Sequence, residues 1–221
     1  MGGRMAKYCA LVAGATGAVG EKVVSQLLDD ADVALVHIVV RRPSGRTHPR
    51  LVEFVTDFDD LAGYAERNPQ LLSVDAVFCC LGTTLKAAGS REAFEKVDFG
   101  YVTQLAGLAS ARRVPRFLMV SAVGASERAA AFYSRVKGRA ENAVSELSFT
   151  ALHVLRPSLL LGDREERRPG EAIAQKLAPL FSPFLQGPLG KYRPVAVEEV
   201  AAEMVRLAKD DRTGAYVHHL G

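Results

Sequence analysis

The sequence predicts an α/β fold built on a doubly wound parallel sheet. Several short apolar runs barely alternate with polar residues, which is typical of strands buried on both faces. These runs alternate along the chain with segments of helical periodicity, so right-handed crossover connections are expected. The length of 221 residues, with 48% hydrophobic and 24% charged residues, suits a single globular domain and argues against disorder.

The predicted elements follow in a regular order. Strands are predicted at residues 8–13, 33–40, 51–56, 74–81, 116–121, 149–155 and 214–219. Helices are predicted at residues 19–28, 90–113, 132–147, 170–180 and 197–208. The second helix is supported by apolar residues that share one side at helical spacing, namely Phe94, Val97, Tyr101, Leu105 and Leu108. Ligands of such sheets bind beyond the carboxyl ends of the strands, so functional residues are expected there.

The stretch 157–194 contains Pro and Gly and breaks the alternation of strand and helix. We expect it to form a small C-terminal cap on the substrate side, because it is too short for a second full domain. Residues 1–221 are then predicted to be one domain that consists of the sheet, its helices and this cap.

Charge and composition narrow the class of partner. Lys and Arg number 28 against 25 Asp and Glu, so the net charge of +3 gives no reason to expect a nucleic-acid partner. No apolar run approaches the length that crosses a bilayer, and residues 1–7 do not resemble a secretory signal. Cys9, Cys79 and Cys80 lie in apolar runs without a zinc-binding pattern. We therefore expect reduced cysteines, no metal, no membrane and a cytoplasmic location.

A glycine-rich loop joins the first predicted strand to the first predicted helix. Its pattern is Gly-x-x-Gly-x-x-Gly over residues 14–20. Glycines permit the tight turn and the close approach of a pyrophosphate, and the helix N-terminus offers free N–H groups. The position between strand and helix favours a dinucleotide site of the Rossmann-like type over a plain structural turn. The loop residues predicted to contact the cofactor are Gly14, Thr16, Gly17, Ala18, Val19 and Gly20.

The residues after the second predicted strand indicate which cofactor is bound. An NAD site usually has an acidic residue here for the ribose hydroxyls, but this chain has Arg41 and Arg42. Two guanidinium groups suit a 2′-phosphate, so NADP(H) is favoured over NAD(H), although the pair also fits a solvated basic turn. Leu81, Gly82 and Thr83 follow the fourth predicted strand and are expected to pass the cofactor's central ribose and phosphates.

Tyr133 and Lys137 have the spacing Tyr-x-x-x-Lys on a predicted helix, which puts them one turn apart on one face. A carbonyl reductase needs a proton donor at the carbonyl oxygen, and a nearby ammonium stabilises the phenolate that such a donor leaves behind. Ser121 lies twelve residues before Tyr133 at the end of a predicted strand, where its hydroxyl can hold the substrate oxygen. We predict Ser121, Tyr133 and Lys137 as catalytic residues, with Ser126 and Ser134 as weaker alternatives to Ser121. Tyr133 and Lys137 are also predicted to contact the cofactor, because the lysine can hydrogen-bond the nicotinamide ribose.

The glycine loop resembles that of extended and atypical short-chain dehydrogenases/reductases. Residues 78–84 and 162–171 are similar to one group of atypical members, the Tat-interacting-protein oxidoreductase family. The resemblance covers most of the chain, from Leu11 to about Ala208. It implies an NADPH-binding fold, and it puts the adenine beside Asp57 and Phe58, where the short acid accepts a hydrogen bond.

The resemblance also bears on the nicotinamide end. It implies that Pro157, Ser158 and Leu159 pass the nicotinamide, whereas Arg156 is left between a substrate contact and a structural ion pair. Members with a full catalytic tetrad use an Asn from the long helix. This chain has Asp98 at the matching place, so the tetrad is incomplete.

The predicted function is an NADP(H)-dependent oxidoreductase that moves a hydride between nicotinamide and a small carbonyl or alcohol substrate. A non-enzymatic NADPH-binding regulator, which would report redox state to a protein partner, is one alternative. An enzyme related to nucleotide-sugar epimerases or dehydratases is another, although little chain follows Leu159 to bind a nucleotide sugar. The sequence leaves the substrate and the oligomeric state open.

Overall fold

A computed structural model describes residues 7–158, 160–161 and 194–221. Seven strands form one parallel sheet: β1 (Tyr8–Ala13), β2 (Val33–Val40), β3 (Leu51–Val55), β4 (Ala76–Cys79), β5 (Arg116–Val120), β6 (Ala151–Pro157) and β9 (Gly214–Leu220). Their order across the sheet is β3-β2-β1-β4-β5-β6-β9. The predicted doubly wound, Rossmann-like α/β fold is confirmed. β7 (Leu160–Leu161) and β8 (Val195–Ala196) form a separate parallel pair.

Helices cover both faces of the sheet. They are α1 (Ala18–Asp29), α2 (Leu61–Arg67), α3 (Leu85–Ala88), α4 (Arg91–Glu95), α5 (Val102–Ala111), α6 (Phe132–Ser145) and α7 (Val197–Leu207), with single 3-10 turns at Phe58–Asp60 and Pro69–Leu72. A π-helical turn at Lys96–Tyr101 joins α4 to α5, and such turns often occur at functional sites.

The core has two layers because successive strand residues point to opposite faces. Leu11, Val77 and Phe117 pack on one face, which α2, α5 and α6 cover. Val12 and Phe78 belong to the other face, which α1 and α7 cover. The strands are therefore buried on both sides, which explains why they read as continuous apolar runs.

The strand order reverses between β1 and β4. The chain passes from β1 to β2 on one side of this point and from β4 to β5 on the other side. Ala13, at the end of β1, is paired with Cys79 of β4 on one side and with Val39 of β2 on the other. The crevice beyond these carboxyl ends is where an open α/β sheet binds its ligand. The glycine loop, Gly82 and the residues after β2 all converge there.

The predicted and observed elements agree except at their ends, in the short helices and in the two-residue strands β7 and β8, which were not predicted. The 3-10 turns, α2 and α3 were not predicted because they are short and lack a clear period. The long helix predicted at 90–113 is observed as α4, the π-helical turn and α5. The helix predicted at 170–180 and most of the cap expected at 157–194 lie outside the described residues.

Candidate functional site

Two glycines at and near the loop between β1 and α1 occupy positions that a side chain would block. Gly14 has φ +80°, and a Cβ on it would lie 2.4 Å from the carbonyl oxygen of Cys80. A Cβ on Gly20 would lie 2.1 Å from the carbonyl oxygen of Gly14. These two positions accept only glycine, so no side chain projects from the first residue of the loop or from Gly20 in the first turn of α1. Gly17 precedes α1 without a side-chain cap, and Thr16 is exposed, so N–H groups at the helix start are available to an anion.

Arg41 and Arg42 follow β2 directly and are exposed. Within the described residues, neither guanidinium has an ion-pair partner. Asp57 caps the 3-10 turn by accepting the Asp59 N–H at 3.1 Å. The ring of Phe58 is buried against Tyr101, with centroids 5.4 Å apart, so only the backbone of Phe58 can face the crevice.

The loop after β4 lies beside a buried ion pair. Lys137 Nζ of α6 lies 2.8 Å from Asp98 Oδ1, and the exposed fractions of these side chains are 6% and 0%. Asp98 Oδ2 accepts the backbone N–H of Thr83 at 2.8 Å. A Cβ on Gly82 would lie 3.5 Å from Lys137 Nζ, so the glycine leaves the ammonium close to the crevice surface. Leu81, Gly82 and Lys137, all predicted cofactor residues, therefore lie at one end of β4.

The charge of Lys137 is maintained by its neighbours. Burial alone would lower the pKa of the Lys137 ammonium, but the negative charge of the Asp98 carboxylate offsets burial. The pKa of Lys137 therefore lies above its ordinary value, and the side chain stays protonated at neutral pH.

Tyr133 lies one turn before Lys137 on the same face of α6 and is half-buried. Its ring packs against the buried Phe94 ring, with centroids 5.6 Å apart. In the described part of the chain, no hydrogen bond holds its hydroxyl. The phenol thus lies near Lys137 with its oxygen available to a substrate.

Ser121 has a partner that the sequence did not indicate. It is buried, and its hydroxyl donates a short hydrogen bond to Glu141 Oε1 of α6. Glu141 also accepts from Arg156, from Nε at 3.0 Å and from Nη2 at 2.5 Å. Arg156, whose role was open, therefore makes a structural ion pair. The hydroxyl hydrogen of Ser121 points to Glu141, which leaves its oxygen as an acceptor.

The end of β6 is fixed by backbone hydrogen bonds. The carbonyl of Pro157 accepts the Val123 N–H at 2.9 Å, and the N–H of Ser158 donates to the Leu220 carbonyl at 2.9 Å. Ser158 N–H is thus engaged by β9 rather than turned to the crevice. Leu159, the third residue predicted here, lies outside the described residues.

Glu141 is the functional candidate that sequence reasoning missed. The buried face of α6 comprises Val136, Lys137, Gly138, Ala140, Glu141 and Val144. Two charged residues on an otherwise apolar face were a signal, because buried charges require partners. The described residues contain no cluster of His, Cys, Asp and Glu that could hold a metal ion. No helix within the described ranges is long and apolar enough to span a bilayer.

The family of the chain follows from comparison with known proteins. A family model described as NAD(P)H-binding matches residues 14–211. The protein HTATIP2 of Rattus norvegicus is 36% identical over 176 residues, which cover 78% of this chain and 71% of that protein. This chain is an atypical short-chain dehydrogenase/reductase of the NAD(P)H-binding family. As a member, it has an NAD(P)-binding, oxidoreductase-like domain, and the predicted family is confirmed.

Solved structures support the fold of this short-chain dehydrogenase/reductase. WbmH of Bordetella bronchiseptica, solved with NAD+, has a TM-score of 0.69 at 17% identity and covers 97% of this chain and 76% of its own. The oxidoreductase ylbE of Lactococcus lactis has a TM-score of 0.68 at 18% identity and covers 96% and 91%. A UDP-N-acetylglucosamine 4-epimerase of Methanobrevibacter ruminantium M1 has a TM-score of 0.73 at 18% identity and covers 98% and 78%. At these identities the structures show the fold and not the substrate.

The predicted cytoplasmic location is contradicted by fungal relatives. The protein FMP52 of Debaryomyces hansenii is 31% identical over 207 residues, covers 92% of this chain and 89% of its own, and is named mitochondrial. The protein fmp52 of Aspergillus clavatus, 35% identical over 170 residues, is also named mitochondrial and covers 75% and 72%. The prediction rested on composition and on cysteines, which report the redox environment of a chain rather than its compartment.

Proposed function

We propose that this protein is an NADP(H)-dependent oxidoreductase that transfers a hydride between nicotinamide and a small carbonyl or alcohol substrate. The observation that carries the proposal is the position of Lys137, whose ammonium lies beneath Gly82 on the same helix face as Tyr133. A proton donor and a cation are thereby held together at the point where the order of the sheet reverses.

The residues present fit a dinucleotide. The absence of side chains at Gly14 and Gly20 leaves room for a pyrophosphate against the start of α1. Arg41 and Arg42 are exposed at the end of β2, where a 2′-phosphate would meet two forked donors. The carboxylate of Asp57 lies at the end of β3 and is available to an adenine amine. When bound, the nicotinamide supplies or accepts the hydride.

The side chains of the protein would handle the proton. Tyr133 would give its hydroxyl proton to the carbonyl oxygen during reduction and take it back during oxidation. Lys137, charged and close to Tyr133, would stabilise the phenolate and hydrogen-bond the nicotinamide ribose. Ser121 would position the substrate oxygen. Its hydroxyl hydrogen is directed to Glu141 in this structure, so Ser121 would turn that hydrogen to the substrate oxygen when a substrate binds.

The proposal extends to the domain plan, with one cofactor-binding domain whose substrate side includes residues 157–194. Support comes from the described ends of that stretch: Leu160 of β7 pairs with Val195 of β8, directly after β6. The chain therefore leaves and rejoins the described structure at the carboxyl side of the sheet.

The test compares the wild-type protein with Tyr133→Phe. Both are titrated with NADPH and NADH, and both are assayed on a panel of small aldehydes, ketones and alcohols. We expect preferential NADPH binding in both and turnover in the wild type alone, because phenylalanine keeps the ring contact with Phe94 and lacks the proton. Turnover that survives in Tyr133→Phe would remove Tyr133 as the acid. Tight NADPH binding without any reaction would favour the regulator.

A further inference from the structure

One buried carboxylate ties together three segments at the crevice. Asp98 lies in the π-helical turn, and both of its oxygens are engaged. Oδ1 pairs with Lys137 Nζ of α6, and Oδ2 accepts the Thr83 N–H from the loop after β4. Asp98 therefore fixes the loop and the lysine relative to each other.

The carboxylate also provides a charge that a neutral side chain would not. A buried ammonium without a partner tends to release its proton, whereas Asp98 keeps Lys137 charged. Among the residues that the structure describes, the other titratable groups facing Lys137 are Tyr133 of α6 and Cys79 of β4. Burial raises the pKa of the Cys79 thiol to about 11, so Cys79 stays neutral between pH 7 and 9.5, the range of the experiment below.

The ion pair lies directly beneath the exposed Gly82. A Cβ on the exposed Gly82 would lie 3.4 Å from Asp98 Oδ1 and 3.5 Å from Lys137 Nζ. The missing side chain therefore opens the pair toward the crevice. An ammonium has three donors, and Asp98 takes one of them, which leaves others for hydroxyl groups of a bound ribose.

We propose that Asp98 is a positioning residue for the cofactor, which holds Lys137 as a cation beneath Gly82 and fixes the Thr83 N–H before the cofactor binds. The inference deepens the proposed function and rests on it only in assigning Lys137 to the nicotinamide ribose. Asn at this position would keep an acceptor for Thr83, but it would remove the charge that stabilises the ammonium. The loss of charge therefore has a specific consequence for the pH dependence of binding.

The experiment measures the affinity for NADPH by calorimetry between pH 7 and 9.5, above the range in which a phosphate monoester titrates. Wild-type affinity is expected to be flat over this range, because Lys137 stays charged. In Asp98→Asn, affinity is expected to fall about tenfold as pH rises, because Lys137 loses its proton. Glu95→Gln is the matched control, since Glu95 joins the same long helix to α6 through an exposed ion pair with Arg139. Its affinity should match the wild type at each pH.

A second comparison, made in proteins that carry Lys137→Met, tests the inference even if Asp98→Asn folds poorly. The double variant Asp98→Asn with Lys137→Met contains no buried unpaired charge, whereas Lys137→Met alone leaves the Asp98 carboxylate buried without its cation, so the double variant should be at least as stable as Lys137→Met. The affinities of these two variants should agree within about twofold at every pH, because the effect of Asp98 acts through Lys137. An affinity of Asp98→Asn that equals the wild-type affinity at every pH, a further loss in the double variant, or no binding of NADPH by the wild type would overturn the inference. NADPH binding without turnover would overturn only the proposed reaction.

Discussion

Arg156 makes two hydrogen bonds to the Glu141 carboxylate: Nε lies 3.0 Å from Oε1, and Nη2 lies 2.5 Å from Oε2. The exposed fractions of these side chains are 22% and 7%, so the pair is largely removed from water. The same carboxylate accepts the hydroxyl of Ser121. The carboxyl ends of β5 and β6 are thereby attached to α6, the helix that carries Tyr133 and Lys137.

Replacing Arg156 by Met is expected to lower the free energy of unfolding by about 2 kcal/mol, because the Glu141 carboxylate stays buried without its cation. The measurement is urea denaturation at pH 7. Arg67→Met is the control, since Arg67 pairs with Asp60 at 2.5 Å on the surface, with exposed fractions of 61% and 59%. A change within about 0.5 kcal/mol is expected there. Equal effects of the two substitutions would show that the Arg156 pair contributes no more than a surface pair.

The fold was predictable from the sequence because its signals are local. The apolar runs of buried strands, such as Val33–Val40, and the glycines of the phosphate loop identify their elements without knowledge of distant contacts. General rules on parallel crossovers limit the possible strand orders, whereas the order itself came from the structure. The short helices were missed because four to seven residues do not establish a period.

The candidate site was predictable in its residue types and not in its pairings. Tyr133 and Lys137 are separated by one helical turn, which the sequence shows directly. The partners Asp98 and Glu141 are distant in sequence from the residues they contact, 39 positions from Lys137 and 20 from Ser121 respectively. Only the packing of α6 against the strand ends brings them together, so the direction of the Ser121 hydroxyl required the structure.

Acid is expected to destabilise the protein through His153. This side chain is fully buried, and its Nδ1 lies 3.0 Å from Nε2 of His218. Burial and then the neighbouring His218 lower the pKa of His153 to about 4. The unfolded chain therefore binds a proton more readily than the folded protein does, and the free energy of unfolding should fall as pH drops from about 6.5 to about 4. The free energy of unfolding should be about 2–3 kcal/mol lower at pH 4.5 than at pH 7.5, as measured by denaturation at the two pH values.

The matched variants for this prediction lie on adjacent strands. His153→Leu should reduce the acid loss, with a remainder from His37 and His218, whose pKa values are also lowered by burial. His219→Gln should leave the loss intact, because His219 is exposed. An unchanged acid loss in His153→Leu would assign the effect to other groups.

Arg41 and Arg42 are expected to select the cofactor. Replacing both by Ala should weaken NADPH binding roughly 10- to 100-fold, because hydrogen bonds to a charged phosphate are lost. NADH binding should change by less than about twofold, since NADH lacks the 2′-phosphate. Calorimetric titration with both nucleotides checks this. Arg112→Ala is the control, because Arg112 is exposed after α5 at the opposite end of the sheet. Equal losses for NADPH and NADH would contradict the assignment.

Gly14 is expected to tolerate no side chain. Gly14→Ala adds a Cβ that would lie 2.4 Å from the Cys80 carbonyl oxygen, in a backbone conformation with φ +80°. Relief of this contact requires β1 and β4 to separate at the crevice, so the free energy of unfolding should fall by about 2 kcal/mol or more. NAD(P)H affinity should fall with it, because the loop that meets the pyrophosphate is displaced. Denaturation and calorimetric titration measure the two effects.

The control for this substitution is another glycine in a permissive place. Gly107 lies inside α5, and a Cβ on it would meet nothing within 4 Å. Gly107→Ala should raise the free energy of unfolding by about 0.5–1 kcal/mol, because alanine loses less backbone entropy in a helix. Cofactor affinity should stay at the wild-type value. The opposite result would be a Gly14→Ala variant that is as stable as Gly107→Ala and binds the cofactor equally well. That result would show that the proposed phosphate site does not depend on the close contact between Gly14 and the Cys80 carbonyl.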